Sequence, residues 1–196
     1  HLRRVGICNT SHDADVVGVL DTTSATQGTP QFSAVTLGGL VTGSCKFKGD
    51  VVIGSKIYFA PYDADVIGVF DTAADEGKGV FSTVSLNGMV SGNCKFNGAA
   101  AIGSKVYFTP DCANVVGVLD TAPLMGGPAQ FSTISLDASL HGDFKFSGAV
   151  VVGHKIVFAP NCANVIGIVN TTGNDGAGVW STGSLQGHGS GDCTSK

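Results

Sequence analysis

Phe81-Ser-Thr-Val-Ser-Leu86 is one of four near copies of the same segment. The others are Phe32-Ser-Ala-Val-Thr-Leu37, Phe131-Ser-Thr-Ile-Ser-Leu136 and Trp180-Ser-Thr-Gly-Ser-Leu185, and their starts lie 49, 50 and 49 residues apart. A fixed period of this length marks a repeat architecture, in which each unit buries its faces against its neighbours. Three further blocks keep the same period. Val16-Val-Gly-Val-Leu-Asp-Thr22 returns at 66–72, 115–121 and 165–171; Lys56-Ile-Tyr-Phe-Ala-Pro61 returns at 105–110 and 155–160; and a segment from Lys46 to Gly54 returns at 95–103 and 145–153. Each block is short, rich in β-branched or aromatic residues, and bounded by Gly, Pro, Asn or Asp, as a strand is.

In chain order each repeat therefore has a first strand (Lys-Phe…Gly), a second (Lys-Ile-Tyr-Phe), a third (Val-Ile-Gly-Val) and a fourth (Phe-Ser-Thr-Val-Ser-Leu). Gly54-Ser55, Gly103-Ser104 and Gly153-His154 separate the first two, and glycine there suits a two-residue hairpin with positive φ. The small, continuous apolar runs of the first strands, such as Ala99-Ala-Ala-Ile102, imply burial on both faces around a crowded axis. The Ser and Thr of the fourth strand imply a half-exposed outer edge. No 3.6-residue apolar period runs through the blocks, which excludes a helical solenoid.

Four short strands in each of four repeats predict an all-β chain, a β-propeller forming one domain over 1–196. Its blades fall at about 1–40, 41–89, 90–139 and 140–196. The first copy begins at its second strand, around Val5 to Ile7. The tail Gly191-Asp-Cys-Thr-Ser-Lys196 matches Gly92-Asn-Cys-Lys-Phe96, where a first strand opens. That phase suits either a closed four-blade ring or a section of a larger propeller.

The repeats resemble those of the Kelch and galactose-oxidase-like propeller superfamily. The likeness is carried by Gly54-Ser-Lys-Ile-Tyr-Phe59 and Gly103-Ser-Lys-Val-Tyr-Phe108, by the Ala/Thr-Pro loops, and by the Val-x-Gly-Val-x-Asp strand. It departs from Kelch repeats in lacking a regular double glycine and a regular tryptophan; Gly38-Gly39 and Trp180 sit out of register. The resemblance implies the architecture and carries no ligand or activity.

Charged residues are 13% of the chain against about 25% in an ordinary domain, which gives a weakly charged surface of the kind a subunit of a larger assembly shows. The net charge is −4 and only Arg3-Arg4 clusters basic residues, so phosphate-led nucleic-acid binding is not expected. No apolar run approaches the ~20 residues of a membrane helix, so no membrane insertion is expected. There is no H-E-x-x-H, nucleophile elbow or P-loop, so neither a cofactor nor a metal site is predicted.

The candidate binding residues lie in the loops between second and third strands: Asp13, Asp15, Asp63, Asp65, Asn114 and Asn164, with Tyr62 beside them. A ring of Asp and Asn could hold calcium, but a motif recurring once per repeat reads first as Asx-type turn capping. Lys46, Lys95 and Lys145 recur likewise, and reading them as bonded to neighbouring carbonyls or carboxylates stands ahead of an anion site. The loops between third and fourth strands differ freely and are where specificity would sit.

Of six cysteines, Cys45, Cys94 and Cys193 share one repeat position and Cys112 and Cys162 another on the same face. Cys94–Cys112 and Cys162–Cys193 are the candidate disulfides among fifteen connectivities, leaving Cys8 and Cys45. With the sequons Asn9-Thr-Ser11 and Asn170-Thr-Thr172, the cysteines tilt the setting toward secretion or an organelle lumen. The functional expectation is a non-enzymatic binding or scaffold propeller, a peripheral subunit of a complex with other protein chains. A lectin-like, carbohydrate-binding propeller is the alternative. An enzyme with a site at the channel mouth is the third reading, and His12, Asp15 and His141 are its mixed-chemistry residues.

Overall fold

The computed structural model describes residues 14–21, 31–123, 127–173 and 178–185. Within them the chain is all-β. Strands β1 (Val16–Asp21) and β2 (Gln31–Thr36) pair as a two-stranded sheet. Three four-stranded sheets follow. The second sheet is β3 (Phe47–Ile53), β4 (Lys56–Pro61), β5 (Val66–Asp71) and β6 (Val80–Ser85). The third is β7 (Phe96–Ile102), β8 (Lys105–Pro110), β9 (Val115–Asp120) and β10 (Gln130–Ser135). The fourth is β11 (Phe146–Val152), β12 (Lys155–Pro160), β13 (Val165–Asn170) and β14 (Val179–Ser184). Each is an antiparallel meander in sequence order, and the repeat blocks and the strands coincide. The second strand expected around Val5 to Ile7 and the tail from Gly191 lie outside the described residues.

The sheets stack face on face through three apolar cores, and alternation along the strands explains how. In β4, Ile57 and Phe59 point to one face and Tyr58 and Ala60 to the other. The first face carries an aromatic trio, Phe47, Phe59 and Phe81, with ring centroids 5.6–6.2 Å apart. Gly68 lies beneath it, where a Cβ would meet all three rings at 3.0–3.1 Å. The third and fourth sheets repeat the trio as Phe96, Phe108 and Phe131 and as Phe146, Phe158 and Trp180, over Gly117 and Gly167. The opposite face of each sheet is mainly aliphatic. The aliphatic face of the second sheet (Ile67 and Val69, with Tyr58) packs on the trio of the third, and that of the third (Val116 and Val118, with Tyr107) on the trio of the fourth. Val17 and Val19 of β1 cover the trio of the second sheet.

This stacking corrects the expectation that the first strands are buried on both faces. The doubly buried strands are the second and third of each repeat, β4, β5, β8 and β9. The first strands β3, β7 and β11 are partly exposed, and Val52, Val150, Val151 and Val152 stand open. A first strand is a sheet edge, and it meets the next sheet closely at one point. There a β-bulge follows the Phe, and its glycine takes positive φ. A Cβ on Gly49 would lie 2.7 Å from the Gly98 Cα, and one on Gly98 3.0 Å from the Gly148 Cα. The fourth strands are half-exposed outer edges. The arrangement is propeller-like, but the sheets are not closed into a ring among the described residues. No helix among them is long and apolar enough to cross a membrane.

Candidate functional site

One face of the molecule collects the loops between second and third strands and the links that run from one sheet to the next. Its central feature is a buried lysine at the start of each sheet, Lys46, Lys95 and Lys145. Each crosses to the loop of the preceding sheet. Lys46 Nζ pairs with Asp15 Oδ1 at 2.9 Å. Lys95 Nζ pairs with Asp65 Oδ1 at 3.1 Å and donates to the Asp63 carbonyl at 3.1 Å. Lys145 Nζ donates to the carbonyls of Asp111 and Cys112, at 3.3 and 3.1 Å. The third sheet has Asn114 where its neighbour has Asp65, so Lys145 takes carbonyls rather than a carboxylate there. Burial pushes its ammonium pKa down, against the pull of Asp143 and Asp111.

Backbone bonds complete the same link. The N–H of Lys95 donates to the Tyr62 carbonyl at 2.9 Å, and that of Lys145 to the Asp111 carbonyl at 3.1 Å. Asp63 Oδ1 accepts the Cys94 N–H at 2.8 Å, from 31 residues away. The Asx-turn reading is thereby corrected at Asp63, whose carboxylate joins two sheets. Local Asx bonds occur one loop further on, where Asp71, Asp120 and Asn170 accept the N–H of Ala73, Ala122 and Thr172. Thr72, Thr121 and Thr171 also donate their hydroxyls to the carbonyl in the hairpin turn of the same sheet, at 2.7–2.9 Å. The recurrent Asp-Thr is thus a latch on that hairpin, a role its position at a strand end does not reveal.

Cys94 and Cys112 are joined by a disulfide, 18 residues apart in sequence. Cys162 is also disulfide-bonded, whereas Cys193 and Cys8 lie outside the described residues and Cys45 is a free thiol. Cys45, Cys94 and Phe144, each just before a buried lysine, have positive φ of 49°, 46° and 55°. The side chains of Asp15, Asp65, Asn114 and Asn164 are exposed, each on a different sheet, and Asp13 lies outside the described residues. Among the described residues no three His, Cys, Asp or Glu side chains gather in a metal-binding group. Tyr62 has Lys48 Nζ 4.7 Å from its ring centroid, so one ring face is already occupied. Burial raises its phenol pKa, helped by Asp111 and Asp63.

Two further polar residues break the repeat pattern. Asp111 and Thr109 are fully buried, and neither the carboxylate oxygens nor the hydroxyl has a hydrogen-bond partner of good geometry among the described residues. Burial raises the Asp111 pKa; Lys48, Lys145 and the nearby Asn97 side chain oppose it, and Asp143 adds to it. The alanines at Ala60 and Ala159 in the other sheets are the only sequence hint of Thr109. Of the mixed set His12, Asp15 and His141, the first lies outside the described residues and Asp15 is bound to Lys46. His141 lines a cavity of about 240 Å³ with Asp137, Asn164 and Thr182.

Larger concavities open between the outer edges of the sheets. One of about 570 Å³ lies between β6 (Thr83, Ser85) and Pro128 and Gln130 of the next sheet. Another of about 460 Å³ lies between β2 (Gln31, Ser33) and Asp75 and Lys78 of the next. The walls repeat, because fourth strands repeat. The variable loops between third and fourth strands make the difference.

No family model and no curated protein matches the sequence. Among solved structures the chain is similar to the glutaminyl cyclase of Myxococcus xanthus, at 10% identity and a TM-score of 0.41, over 87% of this chain and 71% of that one. The expectation that the chain is not an enzyme is withdrawn; the structure named is that of an enzyme, and the likeness to it is one of overall shape alone. A missing motif is no warrant against catalysis, since a site can be assembled from residues far apart in sequence. The likeness itself assigns no activity, substrate or residue to this chain.

Proposed function

We propose that the chain is part of a β-propeller that serves as a binding and scaffold module, a subunit of a larger protein assembly. The observation that carries this reading is the pair of outer clefts, with a common strand wall and different loops. Their volumes fall in the range of a ligand or inserted side-chain site. The lysine-bearing face supports it from the other side, because its polar groups are largely taken up in holding sheet to sheet. The carbohydrate reading is weaker, since Lys48 covers Tyr62 and the matching positions hold Asp111 and Asn161.

The test is the intact mass of the native material in its natural extract, compared with the purified chain. The expected result is a larger assembly containing other chains. Ser33→Arg and Gln130→Arg, both exposed in the clefts, should weaken it without lowering the melting temperature. An extract in which the chain is bound to no other protein overturns the proposal.

A further inference from the structure

Among the described residues the stacking rule leaves two faces without a cover. In the second and third sheets the aliphatic face is buried by the aromatic trio of the next sheet. Ile67 and Val69, then Val116 and Val118, are almost fully covered there. The fourth sheet carries the same face at the same register as Val150, Val152, Val157, Ile166 and Ile168. Val150 is 54% exposed and Val152 57%, and the other three are only partly buried.

The opposite face stands open at the other end of the row. Phe32 of β2 occupies the position of Phe81 and Phe131, which are 7% and 4% exposed, yet Phe32 is 71% exposed. Leu20 of β1 matches Phe70, Leu119 and Val169, which are buried, and is itself exposed. So among the described residues one molecule presents an open aliphatic face and an open aromatic-bearing face at once. The molecule twice solves the packing of one on the other, in cores that join Tyr58, Ile67 and Val69 to Phe96, Phe108 and Phe131, and Tyr107, Val116 and Val118 to Phe146, Phe158 and Trp180. An aliphatic sheet face this exposed is a docking surface or an aggregation hazard.

We infer that the open aliphatic face of the fourth sheet docks the open aromatic-bearing face of the first sheet in a second copy of this chain. Among the described residues, the row does not cover either face by itself. Two copies related by a two-fold axis satisfy both at once and leave no face free, which ends the assembly at two rather than at a fibre. The inference rests on the propeller reading and names its first partner, the chain itself.

The experiment is the mass of the purified full chain in solution, by sedimentation equilibrium. The expected value is twice the single-chain 19.8 kDa. Val152→Asp and Phe32→Asp should each return the mass to one chain. Both side chains are exposed in the single chain, so its circular dichroism should keep the strand signal of the parent, and its unfolding should stay cooperative with a midpoint that no longer rises with protein concentration. An equimolar mixture of the two variants should regain part of the paired species, since it restores one intact interface of the two. A single-chain mass for the unmodified protein overturns the inference, whether the row then closes on itself or stays open. So does a pair that survives both substitutions, because another surface would then hold it. A single-chain mass when pure, with a larger assembly in the extract, would defeat this inference and leave the scaffold reading standing. A pair in both settings with no other chain would do the reverse.

Discussion

Asp111 shows what one residue contributes against the grain of its surroundings. Its carboxyl is fully buried with no hydrogen-bond partner of good geometry among the described residues, and burial raises its pKa above the ordinary value. A carboxyl whose folded pKa lies above the unfolded value of about 3.9 stabilises most below that value, and the benefit fades as pH rises through the folded pKa. Asp111→Asn should remove that decline and leave the protein at least as stable at neutral pH; Asn161 already fills the matching position in the fourth sheet. Denaturant midpoints measured from about pH 4 to about pH 8 check it. A variant weaker at neutral pH would mean that the native group is a bonded carboxylate. The glycines give a second contrast at the same scale. Gly54 has φ +61° with open space where a Cβ would sit, so only backbone strain opposes a side chain. Gly54→Val should cost about 1–3 kcal/mol. A cost below about 0.5 kcal/mol, the ordinary surface range, would rule out the hairpin assignment. Gly49→Ala should cost more, although alanine is the smaller residue. It meets both a φ of +83° and the Gly98 backbone at 2.7 Å, and overpacking adds to strain. Unfolding of the two variants side by side separates conformation from contact.

At the scale of the element, the Asp-Thr pair closing β5 and β9, matched by Asn170-Thr171 after β13, is the informative feature. Asp71 Oδ1 accepts the Ser55 hydroxyl at 2.9 Å and the Ala73 N–H at 3.0 Å, while Lys56 lies 3.7 Å from Oδ2. Burial pushes the Asp71 pKa up, but these bonds and the Lys56 charge outweigh it and hold the carboxyl below its usual value. A depressed folded pKa gives stability that is full above the unfolded value and lost as pH falls through the folded one. Asp71→Ala should therefore cost about 0.5–1.5 kcal/mol at neutral pH. The difference from the parent should shrink in acid, as chemical unfolding at the two pH values would show. An unchanged difference would remove Asp71 from the latch.

At the scale of the molecule, the faces open at the two ends of the described row dominate. If two copies cover them, folding and association are coupled, and the midpoint of thermal unfolding should rise with protein concentration. A midpoint independent of concentration would argue for a chain whose stability is complete in itself. The inter-sheet lysines bear on the same question, because each sheet is fastened to the one before it by a buried ammonium. Lys46, Lys95 and Lys145 reach the loops of the first three sheets in turn, and none of the three reaches the fourth sheet's own loop, where Asn161 and Asn164 are exposed.

The strands of the described repeats, their order and the hairpin glycines were legible in the sequence, and Cys94–Cys112 stood there as a candidate pair among fifteen connectivities that the structure joins. Strands and hairpins depend on partners inside one repeat, and a period of about 50 residues exposes such partners by copying them. The cysteines were legible because the same period sets them on one face. Which strands are buried on both faces was not legible. Ile67 and Ile166 hold the same repeat position and look alike in sequence. Yet Ile67 is fully buried and Ile166 only partly, because a neighbouring sheet covers the first and none covers the second. The destination of the Asp63 carboxylate was equally out of reach, since its partner, the Cys94 N–H, belongs to the next sheet. So was the isolation of Asp111, which depends on what surrounds it from three sheets. Local pattern decides the bonds within a repeat. Burial, the bonds between repeats and the two open faces depend on what lies beside each sheet, and only the tertiary structure decides that.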